Sequence, residues 1–225
     1  RLKMAGPFEP ILERAIALRG EAELEASLPS PASAAAMRAA GDDAYLREMA
    51  RCVFRSGFVW QVVESKWDGF ENAFAGFNPK AVAHFADERL EAIAQNASVI
   101  RNLTKIRATR DNAGFVLREA ERHGSFGAFI ADWPGADIVG LQLYLRKEGS
   151  RLGGHTGQYF LRFMGKDTFM FSKDVVSVLV AQGVVGKEPT SKKALTAVQE
   201  AFNAWQAETG RPFCQLSRIM AASVG

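Results

Sequence analysis

Residues 149–183 read GSRLGGHTGQYFLRFMGKDTFMFSKDVVSVLVAQG. Three glycines, Gly153, Gly154 and Gly157, fall among mostly polar residues, and an apolar-periodic run follows at Tyr159, Phe160, Phe163 and Met164. A short connection leads to a second run, Val175, Val176, Val178 and Leu179. With a further apolar stretch at 139–147, the pattern predicts helix, glycine turn at 152–156, helix, short loop, helix. Lacking a Cβ, Gly153 and Gly154 are free to take positive φ and to let another backbone approach. The helix that follows opens with unpaired N–H groups and the positive end of its dipole, which makes a seat for an anion such as a phosphate. An ordinary helix–helix connection with a glycine cap is the competing reading of the glycines alone.

The rest of the chain bounds the answer. Its 225 residues suffice for one domain or two small lobes with real cores, and 48% hydrophobic content excludes disorder. A net charge of +3 and a pI near 9.0 allow a nucleic-acid partner without demanding one. Cys52 and Cys214 are far apart and outside any C-x-x-C pair, and His84, His123 and His155 are scattered, so neither a disulfide framework nor a thiolate metal site is expected. No apolar run is of membrane-spanning length and no signal peptide is visible, so the expected setting is a reducing cytoplasm.

Helical periodicity extends over the whole chain. Helices are expected over 7–19, from Asp42 as cap through Phe54, in two pieces over 58–77 split near Asp68 and Gly69, and from Asp87 as cap over 88–95. A long amphipathic helix is expected over 99–123, a short one over 125–133 before Pro134, one from Thr190 or Ser191 to Thr209, and a last over 212–224. No period-two pattern appears. The class is all-α, a single domain over 1–225 with the helix–turn–helix–loop–helix region at about 139–183.

That region resembles the helix-hairpin-helix of the base-excision DNA glycosylase superfamily. The pattern there is Leu-Pro-Gly-x-Gly, a helix, then a loop opening another helix at an Asp. This chain has Leu152-Gly153-Gly154-His155-Thr156, Gly165-Lys166-Asp167, and Ser172-Lys173-Asp174 before Val175, departing at Gly153 and Thr156. A second resemblance runs from about Arg51 to Ile106. Gly57-Phe58-Val59-Trp60, then Phe70, Phe74 and Phe77-Asn78-Pro79, then Ile100-Arg101-Asn102 and Lys105-Ile106 are similar to the ordered motifs of the DNA-3-methyladenine glycosylase I family. The resemblance implies a two-lobed helical fold with a cleft and hydrolysis of the N-glycosidic bond of a damaged, alkylated purine. Where that family carries a pocket glutamate, five residues before Gly57, this chain has Cys52. The family's zinc ligands, an N-terminal Cys and His with a C-terminal His-x-x-x-Cys, are not matched, so no metal and no cofactor are expected.

A base inside a duplex is reached only after flipping, and its pocket needs an aromatic face. Trp60 is the leading candidate, with Phe54, Trp67 and Cys52 beside it in sequence; for Phe54 and Trp67 a place in the core is the stronger expectation. The resemblance assigns Asp174 to water activation or sugar-cation stabilisation, with Glu64 as second candidate, while a helix-dipole role for Asp174 remains open. Leu152, Gly153, Gly154, His155, Thr156 and Gly157, flanked by Arg151 and Lys173, are the expected DNA-binding residues. Arg101, Lys105, Arg107 and Arg110 read as a solvated face or as an extension of the phosphate track. The expected partner is duplex DNA with a damaged base, bound by a monomer away from membranes. Two other readings stay open: a non-catalytic helix-hairpin-helix DNA-binding protein, and a helical protein–protein interaction module.

Overall fold

The computed structural model describes residues 5–225, and all regular structure among them is helical. The chain forms α1 (Glu9–Arg19), α2 (Glu21–Ala26), α3 (Ala34–Ala39), α4 (Asp42–Arg55), α5 (Trp60–Glu64), α6 (Trp67–Ala73), α7 (Pro79–Val82) and α8 (Asp87–Gln95). There follow α9 (Leu103–His123), α10 (Phe126–Asp132), α11 (Ile138–Glu148), α12 (Gly154–Phe163), α13 (Lys173–Ala181), α14 (Lys192–Thr209) and α15 (Phe213–Ala222). No helix among the described residues is long and apolar enough to cross a membrane.

The boundaries follow local chemistry. Ser33, Asn78, Asn102, Ser125, Ser172 and Ser191 each cap a helix with a side-chain oxygen that accepts an N–H of the first turn. Asn102 is why α9 starts at Leu103 and not at the expected Val99. Asp42 and Asp87 are not caps: each is the first residue of its helix, after Gly41 and Ala86. Asp42 serves another helix, its Oδ1 accepting from the Phe126 N–H at the start of α10 at 2.9 Å. The break expected near Gly69 lies at Ser65 and Lys66, and Gly69 sits inside α6, against the Ser98 carbonyl.

The helices divide into two compact units. A terminal unit combines the described residues up to Pro31 with Pro134–Gly140 and Asp167–Gly225. In it Phe8 packs on Trp205 with ring centroids 5.7 Å apart, the Phe8 N–H donates to Glu208, and the Trp205 indole donates to the Gly6 carbonyl at 2.8 Å. Phe169 stacks on Phe202 at 4.3 Å, and both oxygens of the Asp167 carboxylate accept N–H groups of Phe213 and Cys214 at 2.9 Å.

A central unit comprises Ala32–Trp133 and Leu141–Lys166. Here α4 packs along α9 and beneath α12, and α10 lies against α3 and α9. Tyr45, Phe115, Phe126 and Phe160 form its aromatic centre, and Trp67, Phe70, Phe74 and Phe77 form a stacked row beside it. Complete burial of such side chains contributes about 1.5–3 kcal/mol each.

Candidate base pocket and hairpin

Helix α4 presents Glu48, Arg51, Cys52 and Arg55 at spacings of three, four and seven, which places them on one face. The row carries one carboxylate, one thiol and two guanidinium groups and reaches Glu64 at the end of α5. Arg51 pairs with Glu48 at 3.5 Å and with Glu64 at 3.6 Å; Arg55 pairs with Glu64 at 2.7 Å. The Cys52 thiol donates to Glu48 Oε1 at 3.5 Å. Burial pushes the Cys52 thiol well up, and the Glu48 charge adds to this, so Cys52 is a neutral donor and no thiolate nucleophile. Burial also raises the Glu48 carboxyl, against the lowering pull of Arg51, the Cys52 hydrogen bond and Arg55.

Next to this row Trp60 opens α5 and is 40% exposed, although tryptophan is mostly buried in folded proteins. Tyr159 and Phe163 of α12 meet its ring edge-on, with centroids at 5.3 and 6.1 Å, and Arg55 lies over it at 4.6 Å. Phe58, Val59, Val62 and Phe163 are exposed beside it. The other aromatic candidates sit deeper. Phe54 is fully buried against Phe70, and Trp67 is nearly buried, stacked between Phe70 and Phe77 with its indole N–H donated to Glu71. Glu64 is exposed and held by Arg55 and Arg51.

The connection between α11 and α12 is residues 149–153, earlier than the expected 152–156. Gly154 has φ +57, as its sequence allows, but Gly153 is extended at φ −83; the second left-handed residue is Arg151, at φ +60. A non-glycine residue in that region costs about 1–2 kcal/mol. Leu152 is buried and anchors the turn, Arg151, Gly154 and His155 are exposed, and α12 begins without a side-chain cap. Gly157 is buried one turn on, and a Cβ there would overlap the Leu152 carbonyl oxygen. That close approach draws the turn onto α12.

Two residues of α9 hold this part in place. Asn112, fully buried, accepts from the Ser150 N–H at 2.7 Å and donates to the Ser150 carbonyl at 3.0 Å. Lys105, also buried, donates to the carbonyls of Phe54 (3.2 Å) and Ser56 and lies 4.7 Å from the Phe58 ring centroid. Burial, with the charge of Arg151, lowers its ammonium pKa. Lys105 therefore ties the end of α4 to α9, which separates it from any solvated basic face. The Asn112→Ala protein should lose about 1–3 kcal/mol in urea unfolding for each Ser150 group left unpaired.

Asp174 and Lys173 belong to the terminal unit. Both are exposed in the first turn of α13, whose cap is Ser172, and the Asp174 backbone carbonyl accepts from Ser177. Among the described residues no three His, Cys, Asp or Glu side chains are placed to hold a metal ion.

With this geometry in view, residues 37–142 match the methyladenine glycosylase family. Over that segment the chain is similar to the family. The segment takes in the α4 row, Trp60 and Lys105 and stops ahead of the 149–153 turn. The 3-methyladenine DNA glycosylase I of Staphylococcus aureus is similar in fold, with a TM-score of 0.50 and 21% identity over 56% of this chain and 77% of that one. The Methanocaldococcus jannaschii 8-oxoguanine glycosylase/lyase, solved with a 15-mer DNA containing 8-oxoguanine, has a TM-score of 0.51 and 11% identity over 94% of this chain and 93% of that one. The all-α glycosylase fold is thus common to both comparisons, one covering just over half of this chain and the other nearly all of it.

Glu48, Arg55, Tyr159 and Phe163 were not singled out from the sequence as pocket residues. The signal for Glu48 was present: it stands one helical turn before Cys52, on the same face.

Proposed function

We propose that this chain is a monofunctional DNA glycosylase that hydrolyses the N-glycosidic bond of an alkylated purine flipped from duplex DNA. The observation that carries the reading is the partly exposed Trp60 ring, which lies inside the methyladenine glycosylase segment, is walled by Tyr159 and Phe163, and is set beside the α4 face that carries Glu48 and Arg55. Trp60 stacks the base, with added cation–π attraction when the base is charged. Glu48 supplies the hydrogen-bond acceptor that Cys52 does not, at the same face and one turn away. The 149–153 turn and the start of α12 hold a backbone phosphate, and the strained Arg151 places a guanidinium beside it.

An alkylated purine leaves readily: the glycosidic electron pair neutralises its ring charge, and water adds to the sugar cation with loss of a proton. Asp174 is proposed to orient that water or to balance the sugar charge. Asp174→Asn should then lower turnover while stability stays nearly unchanged. A stability loss of about 0.3–1 kcal/mol with full turnover would instead assign it to the helix dipole.

The direct test is chromatographic analysis of bases released from alkylated duplex DNA by the purified protein. Release of alkylated purines by the wild type, strongly reduced in Glu48→Gln, is the expected result. Wild-type protein that binds the duplex and releases nothing would leave a DNA-binding protein on a glycosylase fold. Glu48→Gln carries a second signature. Because folding raises the Glu48 carboxyl, the charged form is penalised at neutral pH, and the native state gains relative stability as the group is protonated. The variant should therefore melt above the wild type at neutral pH, and the difference should vanish as pH falls below the ordinary glutamate range, readable by calorimetry.

A further inference from the structure

The exposed face of Trp60 already has an occupant. The Arg55 guanidinium carbon lies 4.6 Å from the Trp60 ring centroid and 5.5 Å from that of Phe163. Two of its nitrogens, Nε and one terminal NH2, donate to the same oxygen of Glu64, at 3.1 and 2.7 Å. Tyr159 and Phe163 meet the indole edge-on, at 82° and 76°, and so border it without covering its face. Only the guanidinium lies over that face among the described contacts. A guanidinium is flat, delocalised, positively charged and weakly hydrated. A purine alkylated on a ring nitrogen shares these properties, and both are recognised by an aromatic face with a carboxylate at its edge.

We propose that Arg55 is a self-occupant of the base-stacking face, an autoinhibitory contact that an incoming base displaces, and that the ligand class suited to displace it is a planar purine bearing positive charge. Glu64 is the counter-ion in both states, paired with Arg55 at rest and with the charged base when the guanidinium swings out to solvent. The inference rests on the reading of Trp60 as the stacking residue. Arg55 is suited to moving. It is the last residue of α4, its partner Glu64 is exposed, and Ser56 to Trp60 beyond it are exposed too. The Arg55 side chain is partly covered, but both its partners, Glu64 and Trp60, are exposed, and an ion pair and a cation–π contact at a water-accessible margin are each weak enough to be exchanged for an equivalent pair. A neutral, undamaged base gains nothing from Glu64 and must still evict the guanidinium, so Arg55 sets a threshold that ordinary bases fail to pass. The separation from Glu48 is functional as well: Glu48 reads hydrogen-bond donors on the purine edge, whereas Glu64 reads only its charge.

The test is titration of the full chain with 7-methylguanosine, cationic under mildly acidic conditions, and with guanosine, followed by tryptophan fluorescence and calorimetry. Arg55→Ala and Arg55→Met, the latter keeping an apolar stem over the ring, should each bind both nucleosides about tenfold or more tightly than the wild type, with unchanged helicity. Adding Glu64→Gln to Arg55→Ala should weaken 7-methylguanosine and leave guanosine unaffected. Binding that Trp60→Ala abolishes but that neither Arg55 variant strengthens would overturn the self-occupation while leaving Trp60 as the stacking residue. Binding that is insensitive to Trp60→Ala, or absent from all the proteins, would overturn both.

Discussion

Replacing Trp60 with alanine is expected to lower release of alkylated purines by about tenfold to a hundredfold, the equivalent of the roughly 1–3 kcal/mol that stacking a base on an aromatic contributes. Affinity for undamaged duplex should change little, because the proposed phosphate contacts of the turn do not involve an extruded base. The structure makes the experiment clean. Trp60 is 40% exposed and touches Arg55, Tyr159 and Phe163 at the margin of the central unit, so its removal leaves no buried cavity. Phe54→Ala is the contrast: Phe54 is fully buried, and its loss should cost about 3–5 kcal/mol of stability, with any activity change following from unfolding. If Trp60→Ala excised bases at the wild-type rate, the ring would be an incidental exposed aromatic and the pocket would lie elsewhere.

The second large effect is expected at the turn, where two glycines give opposite outcomes. Around Gly154 a Cβ meets nothing within 4 Å, so Gly154→Glu strains the backbone by about 1 kcal/mol and puts a negative charge where a phosphate is proposed to sit. Its duplex affinity should fall by about tenfold or more at low salt, equally for damaged and undamaged DNA, with the fold retained. Gly157→Ala adds no charge but sets a methyl group into the Leu152 carbonyl oxygen. Backbone has to move, at about 1–3 kcal/mol, and the turn should separate from α12. Unchanged affinity in Gly154→Glu, measured by fluorescence anisotropy, would remove the turn from the DNA-binding surface.

How far the sequence could be read depended on whether each feature was local. Capping signals are local: the helix expected from Thr190 or Ser191 starts at Lys192 behind the Ser191 cap, whereas the Asn102 cap was passed over and α9 starts at Leu103 instead of 99. Exposure at Trp60 against burial at Trp67 and Phe70 is not local: all three lie in one aromatic segment, and only the packing of α6 distinguishes them. The left-handed residue at Arg151 was invisible for a related reason. Sequence rules assign positive φ to glycine, and two glycines stood nearby to receive it; the Asn112 clamp on Ser150 is what fixes the backbone there, from 38 positions away. Asp42 looked like a cap for its own helix and serves α10 instead. Cys52 stands where the family carries a pocket carboxylate, and a residue-by-residue comparison passes over Glu48, which stands one helical turn earlier on the same face.

The composition of the terminal unit bears on how the protein is made. Phe8 finds Trp205 and Glu208, Glu25 finds Arg211, and Pro29 accepts from Gln215. None of these pairs exists until residues 205–215 have left the ribosome. The contacts of the central unit are complete once residue 166 has emerged. Synthesis from the N-terminus therefore hands the cell a finished central unit while α1 and α2 wait for their partners, with Phe8, Ile11 and Leu24 still uncovered. Truncation near residue 200 is accordingly more damaging than its distance from Trp60 suggests: it strands the opening helices as well as removing the closing ones, and exposes apolar surface that chaperones and proteases recognise.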